Sequence, residues 1–272
     1  QIFNWSYLDE QAAKTSWEEN GIDTNPYESL PTLNLFTYQM SKIIEQEVAK
    51  GFSIDDETNL DYAFDLNEFF STKDNGTFVY EKDVIRFLDN LHTGKFPFAE
   101  NEHQQELKHT FWLLPRVAAA KAMEKLLNEH PFFKDYTVVL AAGDGVSLID
   151  DEDVENIEET AENAIRNKRS YDRVKQAIAA SPRPITPSIG QLTTGVTIPE
   201  WSAVLMLSNI KSPALYFQAS FRAQNPWEFR DEETGEWFRK ENAYVFDFAP
   251  DRTLVLYDEF ANNLSDEGFR AN

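Results

Sequence analysis

The sequence predicts an α/β layered domain with a mainly parallel sheet and a helical insertion. Three observations carry that expectation. Short apolar runs at 33–38, 109–115, 137–142, 203–207 and 243–248 have strand length. Segments with helical periodicity separate several of them, which is the pattern of a parallel layered fold. The run at 137–142 (TVVLAA) is almost continuously apolar, as in a parallel strand buried on both faces.

Composition narrows the class further. The chain has 272 residues, enough for one large domain or one domain with an insertion. Phe alone contributes 21 residues, which favours a filled core over disorder. There is no cysteine, so disulfides and thiolate metal sites are excluded and a reducing cytoplasm is permitted. No apolar run reaches membrane-spanning length, and the start QIFNWSYLDEQ is not a signal peptide. We expect a cytoplasmic protein with no membrane partner. The formal net charge of -22 argues against a broad nucleic-acid-binding face, which needs clustered Lys and Arg. A narrow track of hydroxyls, backbone N–H groups and a few cations remains compatible with it.

In chain order, residues 8–19 read as a helix, followed by turn residues and then the 33–38 strand. A helix over 41–50 ends at Gly51. The stretch 52–107 reads as a mostly helical insertion; within it, 81–92 shows helical periodicity through Val84, Phe87, Leu88 and Leu91. HTFWLLP is a strand ending at Pro115, and the helix after Arg116 is expected to bury Ala118, Ala122, Leu126 and Leu127. Gly143-Asp144-Gly145 reads as a plain turn. The acid-rich 150–162 suits a helix start. Residues 166–183 hold the basic cluster Arg166, Lys168, Arg169, Arg173, Lys175 and Arg183, which reads as an exposed helix face or a backbone track. Residues 184–189 lead extended into a Thr/Gly loop at 191–199. A helix is expected over 212–224 and a hairpin around DEETG. After the 243–248 strand, a last helix is expected over 253–263.

The chemistry concentrates in 191–225. A Gly-containing loop can approach phosphates closely, and the helix after the buried 203–207 strand carries Gln218 and Arg222 four residues apart, hence on one face. An Arg so placed can offset charge on a transferring phosphoryl group. The four histidines lack metal spacing, so no metal site is expected.

This stretch also resembles a known family. QLTTGVTIP is similar to motif V, and YFQASFRAQN to motif VI, of superfamily 2 helicases and translocases. The nearest form is the motor subunit of type I restriction enzymes. Thr197 stands where that family has Asp, and Asn225 where motif VI has its second Arg, so only Arg222 carries over as a phosphate-facing arginine. HTFWLLPRV resembles motif IV, where the corner carrying Arg116 faces DNA backbone.

The resemblance implies a second, RecA-like (P-loop NTPase-type) lobe over 108–272. Residues 1–51 then form the opening segment with the first strand and helix, and 52–107 the insertion. It implies Arg222 and Gln218 as catalytic residues, and Thr193, Thr194, Gly195 and Thr197 as the loop coupling the ATP cleft to DNA. Arg116 and Gln191 become DNA contacts. ATP and Mg2+ would serve the parent protein, bound mostly by a missing N-terminal lobe that lies upstream with its phosphate loop. Double-stranded DNA and other restriction-modification subunits are the implied partners. A non-catalytic, degenerate RecA-like scaffold is the alternative. Arg222 separates the two: it points into an open cleft in a motor and is paired and covered in a scaffold.

Overall fold

The computed structural model describes residues 7–17, 25–40, 64–100, 102–141, 161–189, 197–230, 235–250 and 253–254. The described strands are β1 (Thr32–Thr37), β2 (His109–Leu113), β3 (Thr137–Val138), β4 (Pro184–Ser188), β5 (Trp201–Met206), β6 (Glu228–Arg230), β7 (Trp237–Arg239) and β8 (Asn242–Asp247). The described α-helices are α1 (Tyr7–Ser16), α2 (Leu66–Phe69), α3 (Glu81–Leu91), α4 (Val117–Glu129), α5 (Ala161–Ala180) and α6 (Pro213–Ser220).

Six strands form one sheet in the order β1-β8-β5-β2-β4-β3. Every described pair in it is parallel. β6 and β7 form a separate antiparallel hairpin around the DEETG turn, as expected. Alternation along the strands feeds two cores. Trp112, Leu205 and Phe246 face one side, where α2, α3 and α4 bury Leu66, Phe69, Phe87, Leu88, Met123 and Leu127. Phe111, Val204 and Val245 face the other, against Val174 of α5 and Tyr216 of α6. A fully buried Phe or Leu contributes about 1.5–3 kcal/mol. The two helix layers therefore secure the sheet that positions everything below.

Several expectations sharpen. Helix α3 buries the four positions that its periodicity named. Helix α4 buries two of the four expected positions, Ala122 and Leu127, together with Ala119, Ala120 and Met123; Ala118 is exposed and Leu126 half-buried. Of the run 137–142, Thr137–Val138 form β3, a parallel strand on the edge of the described sheet with Thr137 exposed, and the regular ladder is only these two residues long. Pro187 explains the shortness. In a parallel strand a residue's N–H and C=O point to the same side. The Pro187 carbonyl accepts from Ala141 N on the β3 side, so its missing N–H removes the next β3 rung. The extended lead at 184–189 is in fact β4, wholly buried between β2 and β3. Helix α1 is shorter than the 8–19 expected. The helix expected over 41–50, residues 150–160 of the acid-rich helix start expected over 150–162, and most of 253–263 lie outside the described residues; Ala161 and Glu162 belong to α5.

No described helix is long and apolar enough to cross a membrane.

Candidate functional site

Because the six strands are parallel, all of them end on one edge of the sheet and begin on the other. The edge where they end carries Arg116, just after β2. Arg116 is exposed and makes no side-chain cap bond to α4, whose first turn has no acid. The same edge holds a polar clamp after β5. Asn209 Nδ2 donates to Asp65 Oδ1 at 2.9 Å, and Asn209 N donates to Asn67 Oδ1 at 2.8 Å. Asp65 also caps α2, accepting from Asn67 N and Glu68 N. The clamp ties the start of α2 to the end of β5.

The opposite edge carries Arg222. Helix α6 starts after β5 ends, with Ser212 as its hydroxyl cap and Pro213 at its first position. It runs back towards the strand beginnings. The α-helix stops at Ser220, and Phe221–Gln224 form a 3-10 turn. The expected helix over 212–224 is therefore two pieces. Ser220 Oγ takes the Tyr216 carbonyl at 2.8 Å, which competes with the main-chain ladder. Asn225 Nδ2 takes the Arg222 carbonyl at 3.1 Å, and Pro226 follows. The tighter 3-10 winding turns Arg222 away from Gln218 by about 40° more than a continuous α-helix would. Gln218 is exposed, whereas Arg222 is half-buried and engaged within the chain. Arg222 thus matches neither the open cleft arginine nor the fully covered one. Burial lowers its guanidinium from its ordinary value. A guanidinium does not deprotonate, so the shift reads as lost hydration that an anion would compensate.

Around that turn lies a partly buried cluster of ionisable groups, of which the sequence reading named only Lys175 for its charge. Lys240 is 3% exposed. Its Nζ donates to the carbonyls of Pro199 at 2.6 Å, Trp201 at 2.8 Å and Ala223 at 2.8 Å. Burial draws the ammonium down to about 7, and the Glu200 carboxylate opposes that. Lys175 on α5 donates to Glu200 Oε1. His109, at the start of β2, is buried with its edge against Trp227. Burial pushes the His109 imidazole down to about 4. Nothing in the sequence marks Lys240 as different from a surface lysine; it is simply the basic residue ahead of a strand.

Of the remaining candidates, Thr197 is exposed beside the buried Ile198. Gln191, Thr193, Thr194 and Gly195 lie outside the described residues, as does the Gly143-Asp144-Gly145 turn. Lys168, Arg169 and Arg173 lie on an exposed face of α5. Among the described residues no group of three His, Asp or Glu side chains could hold a metal ion.

No protein-family model matches the chain. A Mycoplasma pneumoniae chain named as the C-terminus of a type II restriction enzyme and methyltransferase is 26% identical over 280 residues. The match spans 96% of this chain and 36% of that one, so this chain spans about a third of the relative's length. Among solved structures, the DNA-bound ATP-dependent type ISP restriction-modification enzyme LlaBIII matches over 81% of this chain and 12% of its own, at 14% identity and a TM-score of 0.43. Domain 2 of the DEAD-box helicase Mss116p, bound to an RNA duplex, matches over 80% and 54%, at 10% identity and a TM-score of 0.36. The chain is thus similar in sequence to a restriction enzyme, and the structures similar to it include restriction and helicase chains.

Proposed function

We propose that this chain is the second, RecA-like lobe of an ATP-dependent DNA helicase or translocase of superfamily 2, within a restriction-modification protein. One observation carries the reading. The turn holding Arg222 adjoins the end of the 191–199 segment, and Lys240 joins the two main chains. Those are the two stretches that resemble motifs VI and V, and a cleft arginine working with a coupling loop requires them side by side. The restriction-enzyme relative supports the setting.

In this reading Arg222 faces a cleft completed by an N-terminal lobe. ATP with Mg2+ supplies the transferable phosphoryl group there. Of that group, the residues of this chain fit only the phosphate end. The half-buried, poorly hydrated Arg222 guanidinium donates to phosphoryl oxygens as their charge grows. Gln218 reaches the nucleotide from the exposed side of α6, and Thr193, Thr194, Gly195 and Thr197 couple the cleft to DNA. The Mg2+ is assigned to the missing lobe. Arg116 and Gln191 contact the DNA backbone; the exposed Arg116 at the start of α4 adds its charge to the helix N-terminus. Closing and opening of the cleft would step the protein along double-stranded DNA. The stretch 52–107 is assigned as an insertion relative to a minimal lobe, and other restriction-modification subunits are further partners. A cytoplasmic location follows from this role.

The test is ATP hydrolysis by the full-length protein with and without double-stranded DNA. Turnover that rises on adding DNA is expected. A folded full-length protein with no turnover in the presence of DNA would contradict the motor and leave the non-catalytic scaffold, which the missing second motif VI arginine at Asn225 favours.

A further inference from the structure

Lys240 precedes β8 and sits where three chain segments meet. Its ammonium holds Pro199 and Trp201, on the path into β5, and Ala223, the residue after Arg222. Its backbone N–H donates to the Trp227 carbonyl at 3.0 Å, which fastens the chain entering the hairpin. Three carbonyls take three donors, and among lysine's forms only the charged one has three N–H bonds. A buried charge costs stability that an apolar side chain of similar length would not. What the ammonium adds over a methionine is a fixed distance between the two main chains that bear the motif-like stretches.

We propose that Lys240 is a positioning residue: its ammonium holds the Arg222 turn in register with the end of the 191–199 segment, so that Arg222 reaches the phosphoryl group in the closed cleft. The inference rests on the reading of Arg222 as the cleft arginine. Lys240 touches neither nucleotide nor DNA and acts only through the turn. Glu200, held by Lys175, lies near enough to support the ammonium.

The test is a double-mutant cycle in the full-length protein, reading DNA-stimulated ATP turnover and the KM for ATP. Lys240→Met should lower kcat by roughly tenfold to a hundredfold, the scale of a misplaced catalytic group. KM should change by less than about twofold, because the nucleotide is bound mainly elsewhere. In the Arg222→Ala background the same change should add almost nothing, since the residue it positions is gone. Lys240→Gln keeps two donors and should fall between wild type and Lys240→Met; it also serves if the methionine variant does not fold. Equal fold-losses in both backgrounds would overturn the positioning role, as would unchanged kcat in either folded variant. Unchanged turnover in Arg222→Ala itself would overturn the cleft-arginine reading, and Lys240's role with it. A large Arg222→Ala loss beside an inert Lys240→Gln would overturn the positioning role alone.

Discussion

The two edges of the sheet solve opposite electrostatic problems. Where the strands end, half-buried Asp65 and Asn67 join buried Ser208 and Asn209 through amides, a hydroxyl and a capping carboxylate, and a second carboxylate, Asp247, is fully buried at the end of β8. Where the strands begin, Lys240, Lys175, Glu200 and His109 gather around the Arg222 turn. The comparison shows that net charge says little about a site. In a chain of formal charge -22, the most buried cation among the described residues is the one beside the cleft candidate. The end-of-strand clamp fixes α2 to the end of β5; the start-of-strand cluster fixes the Arg222 turn to the chain entering β5.

That contrast can be broken at either edge. The largest expected effect on stability is at the strand beginnings. The folded imidazole of His109 titrates at about 4 against an ordinary value of 6.5. Between those values the unfolded state holds a proton that the folded state does not, so stability falls as pH drops through that window. The full loss is about 3 kcal/mol, given that the ring is buried. Glu200, Lys108, Lys175 and Lys240 are the charged groups acting on it. Urea unfolding of wild type and His109→Leu across the window checks this. Wild type should lose stability relative to the variant towards low pH; parallel curves would remove His109 from the account.

At the strand ends, Asn209→Ala removes the amide donor to Asp65 and the acceptor of the Leu66 N–H, while the main-chain N–H to Asn67 stays. A cost of about 1–3 kcal/mol is expected from the buried partners left behind. Combined with Asp65→Ala, the loss should fall short of the sum, because the two side chains share one network. Unfolding midpoints of the two single variants and the double variant measure it.

The smallest stability effect belongs to Arg116→Ala. An exposed side chain with no cap bond should cost less than about 0.5 kcal/mol. Its predicted signature is elsewhere: the salt dependence of DNA binding by the full-length protein should flatten by about one unit of slope. Binding measured across a salt series with an unchanged slope would remove Arg116 from the DNA track.

Much of the fold was legible because its signals are local. Val84, Phe87, Leu88 and Leu91 point one way on any helix, and the apolar runs that hold β3 and β8 have strand length in any order. What was hidden is non-local or masked by one residue. Two prolines disguise β4 as a connector, although it is buried between two neighbours. The sequence FRAQ is compatible with continuing α6; the Ser220 hydroxyl and the Asn225 amide, side chains that can serve either structure, accompany its early end. Two positions of the inward stripe of α4, Ala118 and Leu126, were misplaced, because three successive alanines carry no amphipathic signal. Lys240 was invisible because its three acceptors are main-chain carbonyls from two other segments, which no residue pattern records. Arg222 was found by resemblance, whereas its partly buried setting required the fold.

The measurement closest to the central claim is DNA-stimulated ATP turnover and ATP binding in the full-length protein, comparing wild type with Arg222→Ala. The account predicts a loss of about a thousandfold or more in turnover with ATP binding largely kept, as for an arginine that acts on transition-state charge. Unchanged turnover in a folded Arg222→Ala variant would contradict it and leave this domain as a scaffold.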